Sequence, residues 1–187
     1  LCYLNPNLGD HDSFISVAGQ LKNHNINVPK IISHHPTIGV TIQNDLGDDD
    51  LISLMNDQNR EFLINKSIDL LVDIHKADIE GLVHLSSSDL KDQMNKFKYI
   101  FCERFLDISA DELVNDLIMN ALDNLQECPK NNCHFDFERR NLILDDRNEV
   151  NVIDFQDMCI APIGIDIAGI LLDHYMSFDR SIIKKDL

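Results

Sequence analysis

Between His134 and Asp157, two short apolar runs, Leu142-Ile143-Leu144 and Val150-Asn151-Val152-Ile153, flank the polar stretch Asp145-Asp146-Arg147-Asn148-Glu149. Short β-prone runs around a turn-rich connector predict a β-hairpin. That hairpin constrains three oxygen-bearing side chains. Asp136 and Asn141 stand at opposite ends of the loop entering the first strand, and Asp154 closes the second. A loop that curls over itself faces Asp136 and Asn141 into one cleft, and the returning strand brings Asp154 beside Asn141. Carboxylate and amide oxygens suit magnesium, which is held by one or two carboxylates together with substrate phosphates. Asp136 is then left to accept a hydroxyl proton. A hairpin with surface acids accounts well for Asp145, Asp146 and Glu149. It accounts poorly for Asp154, because a carboxylate between Ile153 and Phe155 is expected to be buried, and a buried carboxylate needs a partner charge or a metal.

The rest of the chain reads as α+β. Leu1 to Leu4 is a strand candidate, followed by a loop over Asn5 to Asp10. Phe14, Val17, Ala18 and Leu21 recur at helical spacing behind a cap at Asp12 or Ser13. Lys30 to Ile32 and Val40 to Asn44 form a second hairpin around a turn at Pro36 to Gly39. The acidic run Asp45 to Asp50 suits the positive end of a helix dipole, with a helix over about 49–55. A longer helix over 60–76 presents Phe62, Leu63, Ser67, Leu70, Leu71 and Ile74, with His75 as a packing residue at its end. Ser86 to Asp89 caps a helix reaching about Leu106, whose stripe of Leu90, Met94, Phe97, Phe101 and Phe105 is expected in the core. Ser109 and Glu112 read as a capping box for a helix burying Leu113, Leu117, Ala121 and Leu125. A last helix is expected from Ile163 through Tyr175. The break between a small mixed lobe (1–46) and a larger helical one (47–187) falls near Gly47.

With 32 acidic against 16 basic residues, the net charge of −16 argues against phosphate-backbone binding and against anionic membranes. The Arg139-Arg140 pair reads equally as exposed charge or as local cations for a negative ligand. Five cysteines without metal-type spacing read as buried free thiols. No apolar run reaches membrane-spanning length and no signal peptide is visible, so a cytoplasmic location is expected. The chain starts at Leu1, inside a strand pattern, and stops at Leu187 near a helical one, so a fragment of a longer protein is expected.

His134-x-Asp136 with Asn141, followed by Ile153-Asp154-Phe155, resembles the catalytic loop and metal strand of the protein-kinase-like fold in its aminoglycoside/choline phosphotransferase branch. The longer string Val152-Ile153-Asp154-Phe155-Gln156-Asp157, with Ala161 to Ala168, Leu171-Leu172-Asp173-His174-Tyr175, Ile26 to Ile31 and Asn44 to Gly47, is similar to the bacterial kinases of N-acetylmuramate and N-acetylglucosamine. The resemblance implies a two-lobe fold with a partial N-lobe, and ATP with Mg2+ as cofactors. It implies a catalytic Asp136, magnesium held by Asn141 and Asp154, and a hinge at Gln43, Asn44 and Asp45 contacting adenine. His134 and Asp166 become structural supports, Asp166 bracing the catalytic loop through its backbone. The implied partner is a small-molecule sugar or amino alcohol. Phe135 replaces the protein-kinase Arg, so control by a phosphorylated activation loop is not expected. No G-x-G spacing exists, so a glycine-rich phosphate loop is expected upstream of Leu1, and no Lys–Glu pair can be placed. An aminoglycoside- or choline-type kinase and a non-catalytic nucleotide- or partner-binding domain are the rival readings.

Overall fold

The computed structural model of the protein describes residues 1–3, 5, 11–109 and 111–172. Leu4, most of the expected loop before the first helix, Ala110, and Asp173-His174-Tyr175 lie outside them. The N-terminal part is a three-stranded antiparallel sheet of β1 (Cys2–Tyr3), β3 (Val40–Gln43) and β2 (Ile31–His35), in the order β1-β3-β2. Gly39 takes the left-handed conformation (φ 68) that closes the turn before β3. Helix α1 (His11–Asn23) buries Val17, Ala18 and Leu21. It already includes Asp12 and Ser13, so neither caps it; Asp12 lies in its first turn.

Beyond the chain segment at Gly47, Asp50 caps the short α2 (Leu51–Leu54) by accepting from the Ser53 N–H at 2.7 Å. Helix α3 (Arg60–Lys76) buries Leu63, Ile64, Ser67, Leu70, Leu71 and Ile74. Phe62, expected on that face, is exposed beneath the Lys66 ammonium instead. The hairpin β6 (Leu142–Leu144) and β7 (Val150–Val152) pairs Leu142 with Val152 and Leu144 with Val150. A second three-stranded sheet joins β4 (Val83–His84), β8 (Cys159–Pro162) and β5 (Lys130–Cys133). Its strands, two to four residues long, are too short to announce themselves by alternation. Helix α6 (Gly164–Leu171) closes the described chain. The main core gathers α1, α2, α3, the hairpin and α6 around Leu21, Leu51, Ile74, Leu142, Val152 and Ile170.

The remaining helices form a separate layer with two corrections. Helix α4 (Ser87–Lys96) has the Ser86–Asp89 capping box, then widens into a π-helix over Phe97–Phe105. The wider turn rotates Phe97, Phe101 and Phe105 out of the core and stacks them on one another at 5.3 and 5.9 Å, leaving Cys102 facing inward. The aromatic stripe is therefore surface. Helix α5 (Asp111–Glu127) buries Val114, Ile118 and Leu122 against Leu90 and Cys102, while Leu113 and Leu117 are exposed. Both stripes have helical spacing, and the partner helix selects between them. Among the cysteines, Cys102, Cys133 and Cys159 are buried free thiols; Cys2 is exposed and Cys128 half-buried, so the expectation of burial fails for those two. Among the described residues no helix is long and apolar enough to cross a membrane.

Candidate active site

The loop between β5 and β6 curls back on itself. The Asn141 side-chain nitrogen donates to the Asp136 carbonyl at 2.8 Å and to Asp136 Oδ2 at 2.9 Å, so the two residues meet across a 3-10 turn at Arg139–Asn141. Because Nδ2 makes both bonds, Asn141 Oδ1 is left as a hard oxygen acceptor. The Ile153 N–H donates to the Asn141 carbonyl at 2.9 Å. That bond extends the β6–β7 ladder by one step and delivers Asp154 next to Asn141. Asp154 is exposed rather than buried, which overturns the expectation from its apolar neighbours. Its backbone is left-handed (φ 64), a conformation costly for a non-glycine residue. That turn swings the carboxylate out of the strand, where its Oδ1 accepts from Gln156 at 2.9 Å, while Phe155 turns inward. Phe155 then stacks on Phe14 of α1 at 5.0 Å, tying the N-terminal helix to the segment that carries Asp154.

Helix α6 clamps the loop from beneath. Asp166 is fully enclosed, and its carboxylate accepts the His134 N–H at 2.7 Å and the Phe135 N–H at 2.9 Å. Phe135 is itself left-handed (φ 75), so these bonds hold a strained backbone immediately before Asp136. His134, also enclosed, donates from Nε2 to the Ile153 carbonyl at 2.9 Å, linking the loop to the end of β7. Burial lowers the His134 pKa, keeping the ring neutral.

Burial is also the largest influence on Asp166: it raises the carboxyl from 3.8 to about 6, against the two backbone bonds that lower it. A raised carboxyl pKa means the folded protein binds that proton more tightly than the unfolded chain does. The associated stability is fully present below pH 3.8 and is lost as pH rises through about 6, amounting to roughly 3 kcal/mol. The unfolding free energy of the native protein relative to Asp166→Asn is therefore expected to fall between pH 4 and pH 7. Urea titrations across that range check it, and a flat or rising difference contradicts it.

Gly169 sits one turn after Asp166 on the same face of α6. A Cβ there would lie 2.8 Å from the Phe137 carbonyl oxygen and 3.3 Å from its carbon, both backbone atoms of the loop that carries Asp136. Gly169→Ala is expected to destabilise the fold by about 1–3 kcal/mol by pushing on the loop that carries Asp136. Urea midpoints of the two proteins check it, and an unchanged midpoint contradicts it. Sequence reading missed Gly169; a glycine inside an apolar helical pattern was the available signal.

The two arginines separate. Arg139 is fully enclosed, so it is no part of an exposed pair. Arg140 faces the cleft, with Nη2 3.4 Å from Asp136 Oδ2 and Nε 3.2 Å from Glu138 Oε2. Beneath the loop, ligand atoms of His75, Cys133 and Asp166 lie within 4.8 Å of one another. Burial lowers the His75 pKa. Burial first, then Asp166 and Cys159, push the Cys133 thiol up to about 12, and it donates to the Ala161 carbonyl at 3.3 Å. A protonated thiol and a carboxylate already holding the loop thus pack around His75.

A cavity of about 290 Å³ opens beside this centre, lined by Leu1, Pro29, Gln43, Asn44, Asp45 and Gly47 on one side and Ile143 and Ile153 on the other. The Asn44 carboxamide accepts the Lys30 N–H, and Asp45 Oδ1 accepts the Gly47 N–H at 2.9 Å, so the segment after β3 is pinned where it lines the cavity. Ile153, on the cavity wall, immediately precedes Asp154.

A family model described as "Phosphotransferase enzyme family" matches residues 7–185. Among curated proteins, N-acetylmuramate/N-acetylglucosamine kinase of Pseudomonas aeruginosa is 25% identical over 182 residues, covering 92% of this chain and 52% of its own. The protein of the same name from Neisseria meningitidis is 28% identical over 167 residues, covering 84% and 50%. This chain therefore spans about half the length of the curated relatives it matches. Among solved structures, an aminoglycoside phosphotransferase from Streptomyces rimosus in complex with ADP and streptomycin superposes with TM-score 0.65 at 13% identity, covering 94% of this chain and 73% of that one. The choline kinase LicA from Streptococcus pneumoniae superposes with TM-score 0.63 at 16% identity, covering 93% and 66%. Similarity at that level establishes the shared kinase-like α+β fold.

Proposed function

The chain belongs to the phosphotransferase enzyme family, and from that premise we propose that the full-length protein transfers a phosphoryl group from ATP to the anomeric hydroxyl of N-acetylmuramate or N-acetylglucosamine. The observation that carries the reading is the Asp136–Asn141 pairing at the mouth of the hairpin whose other strand leads into Asp154. Phosphoryl transfer asks mainly for positioning and charge neutralisation. Asp136 orients the acceptor hydroxyl and takes its proton. The donor set fits magnesium, since Asn141 contributes a free amide oxygen and Asp154 an exposed carboxylate on a fixed backbone. When bound, the ion supplies neutralisation of the phosphate oxygens. The cavity between the post-β3 segment and Ile143/Ile153 accepts the adenine, with backbone groups at Gln43, Asn44 and Asp45 reading its edge, so that the phosphates run toward Asp154. His134 and Asp166 hold the loop in place. We place the boundary between an N-lobe (1–46) and a C-lobe (47–187) at this hinge.

The sugar assignment draws on the relatives named for these two substrates. Presenting full-length protein and ATP with N-acetylmuramate, N-acetylglucosamine, choline and kanamycin tests it. ADP release with the first two supports the reading. Release with only the latter two replaces it with the aminoglycoside- or choline-type alternative, and ATP binding without turnover of any replaces it with a binding domain.

A further inference from the structure

The two proposed acceptors differ in one charge. N-acetylmuramate carries a lactyl carboxylate on its ring where N-acetylglucosamine has a neutral hydroxyl. A carboxylate entering this cleft meets the Asp136 carboxylate and the exposed Asp154 in a chain of net charge −16, and like charges disfavour it unless a cation compensates. Of the loop's two arginines, Arg139 is fully enclosed and does not reach the cleft. The Arg140 side chain is 46% exposed, and its contacts with Asp136 and Glu138, at 3.4 and 3.2 Å, are longer than a tight charge-assisted hydrogen bond. Its guanidinium is a planar fork matched to bidentate carboxylates. It stands against the carboxylate that must also face the reacting hydroxyl, so an acceptor bound there brings its own carboxylate within the fork's reach.

We propose that Arg140 is the acceptor-selecting residue: it exchanges its long contact with Asp136 for a bidentate pair with the carboxylate of an anionic amino sugar. The inference rests on the phosphoryl-transfer reading of Asp136. On binding, the exchange also removes one of the two donors on Asp136 Oδ2, leaving the bond from Asn141 Nδ2 and a lone pair for the acceptor hydroxyl. A neutral sugar leaves the Arg140–Asp136 contact in place and forgoes the second pair. Selectivity and readiness of the carboxylate thus change together.

The test compares kcat/KM for N-acetylmuramate and N-acetylglucosamine in full-length wild-type protein, Arg140→Gln and Arg140→Lys. In Arg140→Gln the ratio of the two values is expected to shift about 10- to 100-fold against N-acetylmuramate, mostly through KM. Arg140→Lys, keeping the charge without the fork, is expected to recover part of that shift. Equal losses on both sugars, with the ratio unchanged, overturn the assignment and leave Arg140 a general electrostatic role. Wild-type protein that phosphorylates neither sugar overturns the underlying reading, an outcome distinct from an unchanged ratio.

Discussion

Asp136→Asn in the full-length protein is expected to lower kcat by about 10²- to 10⁴-fold while ATP affinity stays within about threefold. The amide keeps the size of the carboxylate, and the acceptor oxygen facing Asn141 Nδ2 is retained, so the curl of the loop survives. What disappears is the group proposed to accept the hydroxyl proton. Because Asp136 touches the loop and not the cavity lined by Gln43 to Gly47, nucleotide binding is a separate readout. A coupled ADP-release assay alongside calorimetric ATP titration measures both. Retained turnover removes Asp136 from the catalytic role; lost ATP binding makes it structural.

The second large effect is expected at Asp154. Replacement by Asn removes the charge but tolerates the left-handed backbone (φ 64) better than Ala does, so the fold is kept and the ligand weakened. Magnesium-dependent ATP affinity and kcat/KM together are expected to fall roughly 10²- to 10³-fold. Affinity measured in EDTA should change little. A magnesium titration identical to that of the wild type contradicts the assignment of Asp154 to the metal.

Sequence and structure agree where local pattern and tertiary context point the same way. The hairpin at 142–152, the β2–β3 turn at Gly39 and the buried face of α1 were legible because their periodicities have one solution. The meeting of Asp136 with Asn141 followed from their spacing on a short loop. The misses share a different cause. On α5 two adjacent stripes have equal spacing, and only Leu90 and Cys102 decide that Val114 and Ile118 face inward. The phenylalanine ladder falls on the core side of a regular α-helix, and the π-helical turn rotates it out. Asp154 was expected inside because its neighbours are apolar; a single positive φ, invisible in an Asp, puts it outside. Arg139 was not legible as an enclosed side chain, since nothing local separates it from Arg140. The sheet β4-β8-β5 joins segments as far apart as Val83 and Cys159, and the polar run Lys130 to Cys133 carries no strand signal of its own.

Helix α6 ties these observations together. Asp166 takes up the backbone N–H groups of His134 and Phe135, and Gly169 allows the close approach to Phe137, so four consecutive loop residues are positioned by one turn of helix. Asp136, the proposed catalytic side chain, lies between them. The loop is strained at Phe135 and the strand end at Asp154; Phe135 precedes the group proposed to act on substrate, and Asp154 is itself the group proposed to act on metal. Such strain persists where surrounding structure over-determines it, and α6 and the Phe14–Phe155 stack supply that structure.

The most direct test of the account is the position of the transferred phosphate. Full-length protein, ATP and magnesium are incubated with N-acetylmuramate, and the product is examined by phosphorus and proton NMR. The account predicts a sugar 1-phosphate, seen as coupling between phosphorus and the anomeric proton. A phosphate carried on the 6-hydroxyl, or ATP consumed with no sugar phosphate formed, contradicts it.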